Sequence, residues 1–141
     1  MKRLLIIAVV ALLLQSCATT LYNWGGSSSD VSDYENLSYR YTDKQTPESL
    51  CALVCMYEKV VNNPGGTRMV PPPGVCAEYG YLLLMPGTAE TFEKHATSRQ
   101  RRMFSGDLST TFREHGMEML KKEMTLYPES QKFIAPLLKK F

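Results

Sequence analysis

The chain has 141 residues, of which 44% are hydrophobic, and a formal net charge of +2. Lys2 and Arg3 account for the whole positive excess, so the chain that follows them has no long-range attraction to an acidic polymer. A nucleic acid is therefore excluded as the expected partner. The length suits one small domain together with a leader or tether.

A short basic leader at the N-terminus is followed by an apolar run over residues 4–14. This run is too short to cross a bilayer, which needs about 20 residues, and it is typical of the core of a signal peptide. The sequence Leu14-Gln15-Ser16-Cys17 resembles the lipobox of bacterial lipoproteins, with Gln15 as its unusual member. The resemblance implies cleavage after Ser16, removal of residues 1–16, and attachment of a diacylglycerol and an acyl chain to Cys17.

The residue after the lipid cysteine is Ala18. In the enterobacterial sorting rule, an Asp at this position retains a lipoprotein in the inner membrane. By this resemblance we expect the protein in the outer membrane, held there by its lipid anchor. Residues 18–21 contain no acidic run of the kind used for surface export, which favours the periplasmic face.

Residues 17–33 have the composition of a lipidated, flexible tether, because residues 25–30 are glycine, serine and aspartate. The tether also contains Tyr22 and Trp24, and Trp24 is the only tryptophan of the chain. Two interpretations of Trp24 remain open. It docks on the core of its own domain, or it contacts a partner or the lipid interface, where aromatic side chains are favoured.

Residues 34–141 show helical periodicity and predict an all-α fold, a small antiparallel helical domain. The first helix, over 33–42, carries Tyr34 and Tyr41 on one side. Thr46 and Pro47 are typical of a helix start, and that second helix is expected to run to about residue 61. Further helices are predicted over 74–85, over 88–104, after Asp107, and from about Ser130 to the C-terminus with an interruption at Pro136.

The cysteines that remain after cleavage are Cys51, Cys55 and Cys76. Cys51 and Cys55 lie one turn apart on one helix and are poorly aimed at each other for a disulfide. A disulfide between one of them and Cys76 is feasible; the alternative is that all three are small core residues. A metal site with His95 or His115 would lack the close ligand pairs of zinc modules. We therefore predict no metal and no cofactor apart from the covalent lipid.

No catalytic motif is found in the sequence. His115 lies at the edge of an apolar helical stripe and is interpreted as a boundary residue. The acidic residues are spread along solvent faces, and Gly65-Gly66 lacks the Gly-Lys-Ser/Thr continuation of a phosphate loop. We therefore predict that the protein is not an enzyme, and no small-molecule substrate is identified.

Two later helices resemble a tetratricopeptide pair, in which small residues let helices A and B pack antiparallel. Gly80 and Leu83 resemble the helix A pattern, while Gly116, Leu120 and Pro128 resemble helix B. The distance between the two patterns is about 24 residues longer than the roughly 34-residue repeat allows. The resemblance therefore implies an insertion at about residues 86–110.

A second resemblance spans nearly the whole chain after the signal peptide. It consists of the lipid cysteine, Tyr-Asn-Trp-Gly at 22–25, a tyrosine-rich short helix, Ala-Glu-Tyr-Gly-Tyr-Leu-Leu at 77–83, and Leu-Tyr-Pro-Glu-Ser at 126–130. These motifs resemble a family of small Gram-negative outer-membrane lipoproteins of unknown function. Genes of that family tend to lie beside the gene of a curli-secretion-channel-like lipoprotein, which implies a role in envelope assembly.

The function expected from the sequence is that of an outer-membrane lipoprotein that binds another envelope lipoprotein and helps assemble a complex. The alternative is a structural lipoprotein that binds peptidoglycan or another glycan through its aromatic segment. A thiol-redox role for the three cysteines is a weaker third hypothesis. The candidate partner-binding residues are Tyr22, Trp24, Tyr34, Tyr41, Tyr79 and Tyr81.

Overall fold

A computed structural model describes residues 20–26 and 32–141. Within these ranges the regular structure consists of seven α-helices and one 3-10 turn, with no strand, which confirms the all-α class. The helices are α1 (Asp33–Lys44), α2 (Pro47–Asn62), α3 (Val75–Leu84), α4 (Thr88–His95), α5 (Ser98–Arg101), α6 (Leu108–Leu126) and α7 (Gln131–Leu138), and the 3-10 turn (Pro128–Ser130) precedes α7.

The lipidation site predicted at Cys17 and the signal peptide predicted at 1–16 lie outside the described residues. None of the described helices combines the length and the apolar character needed to cross a bilayer.

The first two helices each begin directly after a capping residue. The Ser32 hydroxyl accepts a hydrogen bond from the Glu35 backbone, and the Glu35 carboxylate accepts one from the Ser32 backbone in return. At the start of α2 the Thr46 hydroxyl accepts from the Ser49 amide, and Pro47 occupies the first helical position. Both helices therefore match the sequence prediction closely at their N-termini.

Helix α2 forms the centre of the domain. Ten of its sixteen residues are buried, more than the single apolar stripe of a surface helix would supply. Helices α1, α3 and α4 all pack against it. The core around α2 therefore positions both the N-terminal segment and the remaining helices.

Helices α3 and α6 cross at two glycines. A Cβ atom added to Gly80 would lie 2.7 Å from the carbonyl oxygen of Gly116, and one added to Gly116 would lie 2.9 Å from the carbonyl oxygen of Gly80. The two backbones are in direct contact because neither residue has a side chain. The predicted close packing of these two helices through glycine is confirmed.

The region predicted as one polar helix over 88–104 is divided in two, and that prediction is wrong. Helix α4 ends at His95, and its C-cap residue Ala96 has an extended ψ of 140°. Thr97 then caps the start of α5 through a capping box with Gln100. The break turns the chain so that the Phe104 ring lies 5.3 Å from that of Phe92. Because Phe92 is fully buried, the predicted insertion contributes to the core.

The last helix also departs from its prediction. Pro136 lies inside α7 and does not interrupt it. The proline removes one backbone donor, which a short exposed helix at the edge of the domain tolerates.

Candidate functional site: the docked N-terminal segment and the adjacent groove

Residues 20–26 are bound to the helical domain by backbone hydrogen bonds. The amide of Thr67 donates to the carbonyl of Thr20 at 3.0 Å, and the amide of Arg68 donates to the carbonyl of Leu21 at 3.1 Å. Nearer α1, the amide of Tyr34 donates to the carbonyl of Trp24 at 3.2 Å. This part of the region predicted as a flexible tether is therefore docked, and for residues 20–26 the prediction is wrong.

Two glycines after α2 make this docking possible. A Cβ atom on Gly66 would lie 2.5 Å from the backbone of Leu21, and Gly66 has a φ of +73°, which favours glycine. A Cβ atom on Gly65 would lie 3.0 Å from the Cβ of Asn23. These glycines follow the end of α2, as the sequence indicates. They also contact the N-terminal segment, and the sequence did not predict that contact.

An aromatic column connects the docked segment with α6. Its neighbouring ring centroids are 5.0, 6.1, 5.6 and 5.5 Å apart, distances at which aromatic rings attract one another. In order, the rings belong to Trp24, Tyr34, Tyr57, Tyr79 and His115. Each ring comes from a different described element, so the column links the N-terminal segment to α1, α2, α3 and α6.

The carboxylate of Glu78 on α3 joins two of these rings. It accepts hydrogen bonds from the hydroxyls of Tyr34 at 2.8 Å and Tyr57 at 2.7 Å. Burial and the hydrogen bond to Glu78 raise the pKa of both tyrosines above its ordinary value of 10.0, so both remain neutral donors. Glu78 thereby fastens α1 and α2 to α3.

The carboxylate of Glu58 on α2 joins the other end of the column. Its Oε2 accepts from the Tyr79 hydroxyl at 2.7 Å and lies 3.0 Å from Nε2 of His115, while its Oε1 accepts from Asn62 at 2.8 Å. Burial raises the pKa of Glu58, but the hydrogen bonds from His115, Tyr79 and Asn62 together lower it below its ordinary value. The hydrogen bond to Glu58 raises the pKa of His115 in turn.

The acidic residues were expected on solvent faces, and for Glu58, whose side chain is only 13% exposed, that prediction is wrong. The His115 side chain is 23% exposed, which agrees with its interpretation as a boundary residue. Glu58 and His115 form an ion pair, with Glu118 as a second carboxylate 3.5 Å from the histidine ring. The only sequence signal was the spacing of Glu58, which lies three residues from both Cys55 and Val61 at the edge of the apolar face. Because every oxygen of Glu58 is hydrogen-bonded, the arrangement serves to hold three helices together.

A third carboxylate, that of Glu123 on α6, is only 2% exposed. Its Oε1 accepts from the Gly74 amide at 2.7 Å, just before α3 begins. The positive end of a helix dipole stabilises an anion at this place, whereas burial raises the pKa of Glu123. Glu123 therefore ties the end of α6 to the start of α3.

The structure separates the six candidate partner-binding residues into exposed and covered ones. Trp24 is 37% exposed and Tyr81 is 45% exposed. Tyr22, Tyr34 and Tyr41 are half-buried. Trp24 packs on Tyr34 of its own domain, as one of its two open interpretations expected.

Tyr79 is the exception among the six, because it is completely buried. Its hydroxyl donates its one hydrogen to the Glu58 carboxylate. The prediction that Tyr79 contacts a partner is therefore corrected: its ring belongs to the core.

A groove of about 700 Å³ lies between the docked segment, α1, α2 and α5. Its apolar wall includes Leu37, Met56 and Met103, and its polar rim includes Lys59 and Arg99. The volume lies within the range of ligand-binding clefts, about 300–1,000 Å³. The basic side chain of Arg99 thus borders a concave surface.

The three described cysteines are free and buried. The feasible disulfide with Cys76 is not formed, and the interpretation of all three as small core residues agrees with their burial. Burial raises the pKa of Cys55 to about 12 and that of Cys76 to about 11, which keeps both as thiols at neutral pH.

Across residues 20–26 and 32–141, no group of three or more His, Cys, Asp or Glu side chains has an arrangement that could hold a metal ion. No protein-family model, curated protein or solved structure matches this chain.

Proposed function

We propose that the protein is an outer-membrane lipoprotein, anchored through a diacylglycerol and an acyl chain on Cys17 and facing the periplasm. In this proposal its helical domain binds another envelope lipoprotein and helps assemble an envelope complex, without catalytic activity. The lipobox and the motifs shared with small outer-membrane lipoproteins support the anchor. The groove beside the docked segment supports the binding role.

The observation that carries the proposal is the position of the groove next to the start of the docked segment. Asn23 and Gly25 line the groove, and both belong to the segment that begins at Thr20. Cys17 precedes Thr20 by three residues, which span at most about 10 Å when fully extended. A lipid on Cys17 would therefore keep the groove close to the membrane surface, where another anchored lipoprotein would meet it.

The lining of the groove indicates the chemistry of the partner. Methionine side chains adapt to differently shaped apolar groups, and Met56 and Met103 both contribute to the wall. Lys59 and Arg99 carry positive charge at the rim, partly offset by Asp33. The groove therefore suits a partner segment with an apolar side chain and at least one carboxylate.

Site-specific crosslinking in the living bacterium tests this function. A photo-crosslinking residue at Arg99, on the groove, is compared with one at Met85, which is 41% exposed and does not line the groove. We expect a discrete adduct with a second lipoprotein from Arg99 only. The adduct should weaken in the variant Lys59→Glu, whose reversed charge repels an acidic segment. The same adducts from both positions, or isolation of the membrane-bound protein without a stable partner, would contradict the proposal.

Binding to glycan remains the second candidate, because two aromatic rings stay accessible. Tyr39 is 80% exposed and Tyr81 is 45% exposed, and exposed aromatic faces can stack on sugars. Retention on purified cell-wall sacculi that is lost on replacing Tyr39 and Tyr81 by Ala, but kept in Lys59→Glu, would favour this candidate over a protein partner.

A further inference from the structure

We propose that Leu21, Arg68 and Met69 form a membrane-contact corner, which touches the lipid bilayer and sets the orientation of the helical domain on it. This inference rests on the lipid anchor at Cys17 proposed above. It adds a second, non-covalent contact between the protein and the membrane, made by residues outside the groove.

The corner combines two large apolar side chains that face solvent. Leu21 is 53% exposed and Met69 is 64% exposed. The chain segments that carry them are joined by the hydrogen bond from the Arg68 amide to the Leu21 carbonyl. Adjacent exposed apolar residues on a small domain mark a surface that another apolar phase can cover.

The backbone at Met69 supports this interpretation. Met69 has a φ of +52°, in the left-handed region where a methionine is rare. Glycine or asparagine would adopt that conformation more readily. The turn instead carries a long, flexible apolar side chain in an exposed position.

Arg68 supplies the polar component of the corner. Its guanidinium lies 5.9 Å above the ring of Tyr22, and it makes no salt bridge with any described carboxylate. A cationic side chain beside a tyrosine and exposed apolar groups is the composition of an interfacial surface. The methylene stem of such an arginine can lie along the apolar zone while its charge meets lipid phosphates.

The length of the chain between the corner and the anchor identifies the bilayer as the occupant. Thr20, the neighbour of Leu21, is hydrogen-bonded to Thr67, and Cys17 lies three residues earlier, within about 10 Å. The corner therefore cannot move far from the acyl chains. Met85 follows the C-terminal end of α3, about 15 Å along the helix axis from the start of α3, and it does not belong to the corner.

Quenching of Trp24 fluorescence by brominated lipids tests the inference. The lipidated protein is reconstituted in vesicles of phosphatidylethanolamine and phosphatidylglycerol with brominated acyl chains, and Trp24 is the only tryptophan. The double variant Leu21→Asp/Met69→Asp is compared with Met85→Asp. We expect strong quenching in the wild type and in Met85→Asp, and a decrease by about half or more in the double variant, because carboxylates are expelled from the interface.

The variants are chosen so that folding is preserved. Both replaced side chains of the corner are exposed, and aspartate tolerates a positive φ at position 69 better than methionine does. Circular dichroism and thermal unfolding check that the double variant is folded before quenching is measured.

The outcomes distinguish this inference from the proposed function. Mass spectrometry of the membrane-purified protein reports the lipid on Cys17; its absence overturns the proposed anchor and this inference with it. A lipidated protein whose Trp24 is quenched equally in the wild type and the double variant overturns the inference alone. Loss of the partner crosslink in the double variant with unchanged quenching would show that the corner contacts protein, which also overturns it.

Discussion

Two backbone contacts in this protein depend on glycine, and they differ in the kind of structure that they join. At the crossing of α3 and α6, Gly80 faces Gly116 and two helical backbones touch. At the docked N-terminal segment, Gly66 faces the backbone of Leu21 and two non-helical stretches touch. Helical spacing can place a glycine on the buried face of a helix. A pair of glycines that follows a helix is already explained as the end of that helix, so nothing in the sequence points to a second contact there. The first contact could therefore be predicted and the second could not.

The two contacts also have different consequences for the molecule. The α3–α6 crossing lies within the core, since its neighbours Leu83 and Leu120 are 3% and 0% exposed. The contact at Gly66 lies at the surface beside the exposed Leu21. We expect the first to decide whether the domain folds, and the second to decide where the N-terminal end lies on the folded domain.

The largest effect is expected from Gly116→Val. Even the Cβ atom would lie 2.7 Å from Leu84 and 2.9 Å from the Gly80 carbonyl oxygen, so the helices must move apart. We expect the free energy of unfolding to fall by about 3 kcal/mol, at the upper end of overpacking in cores. Chemical denaturation followed by circular dichroism measures it. The control is Gly26→Val, because a Cβ there meets nothing within 4 Å; equal losses in the two variants would contradict the crossing.

The second effect concerns the docked segment and is tested by Gly66→Ala. The new Cβ would lie 2.5 Å from the Leu21 backbone, and alanine at a φ of +73° is strained. We expect the free energy of unfolding to fall by about 2 kcal/mol, of which about 1 kcal/mol comes from the left-handed backbone conformation of the new alanine. The emission of Trp24 should shift to longer wavelength because its ring leaves Tyr34 and enters water.

Gly87→Ala is the matched control for this change. Gly87 has a φ of +82° but open space around its Cβ position. Gly87→Ala should therefore lower the free energy of unfolding only by the cost of the left-handed backbone, without a shift of Trp24 emission. If Gly66→Ala and Gly87→Ala behave alike, the N-terminal segment is not held by contact with Gly66.

Local signals account for what the sequence predicted correctly. Thr46 and Pro47 mark the start of α2 because a cap and a fixed φ act within one turn. The division of 88–104 also had a local signal, the capping box of Thr97 with Gln100, which was missed because the apolar spacing continued across it.

The carboxylate contacts could not be predicted in the same way. Glu58 meets Tyr79 and His115, which lie 21 and 57 residues away along the chain. Helical periodicity places Glu58 on the edge of an apolar face, but it does not say which helix covers that edge. The partners of a half-buried carboxylate depend on the arrangement of α2, α3 and α6, and that arrangement follows from the packing of the whole core.

The smallest effect is expected from a change beside the α3–α6 crossing. There the pair of His115 with Glu58 holds α6 against α2. We expect His115→Gln to lower the free energy of unfolding by about 1 kcal/mol at pH 5.5, as for one charge-assisted hydrogen bond that is partly open to solvent. Urea denaturation over a series of pH values measures the difference.

The pH dependence follows from the direction of the two pKa changes. The folded pKa of His115 lies above its ordinary value of 6.5, so its contribution is complete below pH 6.5 and is lost as the pH rises through the folded pKa. The folded pKa of Glu58 lies below 4.5, so its contribution is complete above pH 4.5 and is lost as the pH falls through the folded pKa. The variant should therefore differ most from the wild type between about pH 4.5 and 6.5.

The groups that face the His115 ring are Glu58, Glu118 and Tyr79. Burial raises the pKa of Tyr79 above its ordinary value of 10.0, so its hydroxyl stays neutral across the pH series. The matched control is His95→Gln, because that ring is 43% exposed and its nearest carboxylate, on Glu48, is 3.9 Å away. We expect no change in its stability profile, since exposed ion pairs contribute little. A loss in His115→Gln that is constant from pH 5 to 9 would mean that its packing against Tyr79, and not its charge, holds α6 beside the crossing.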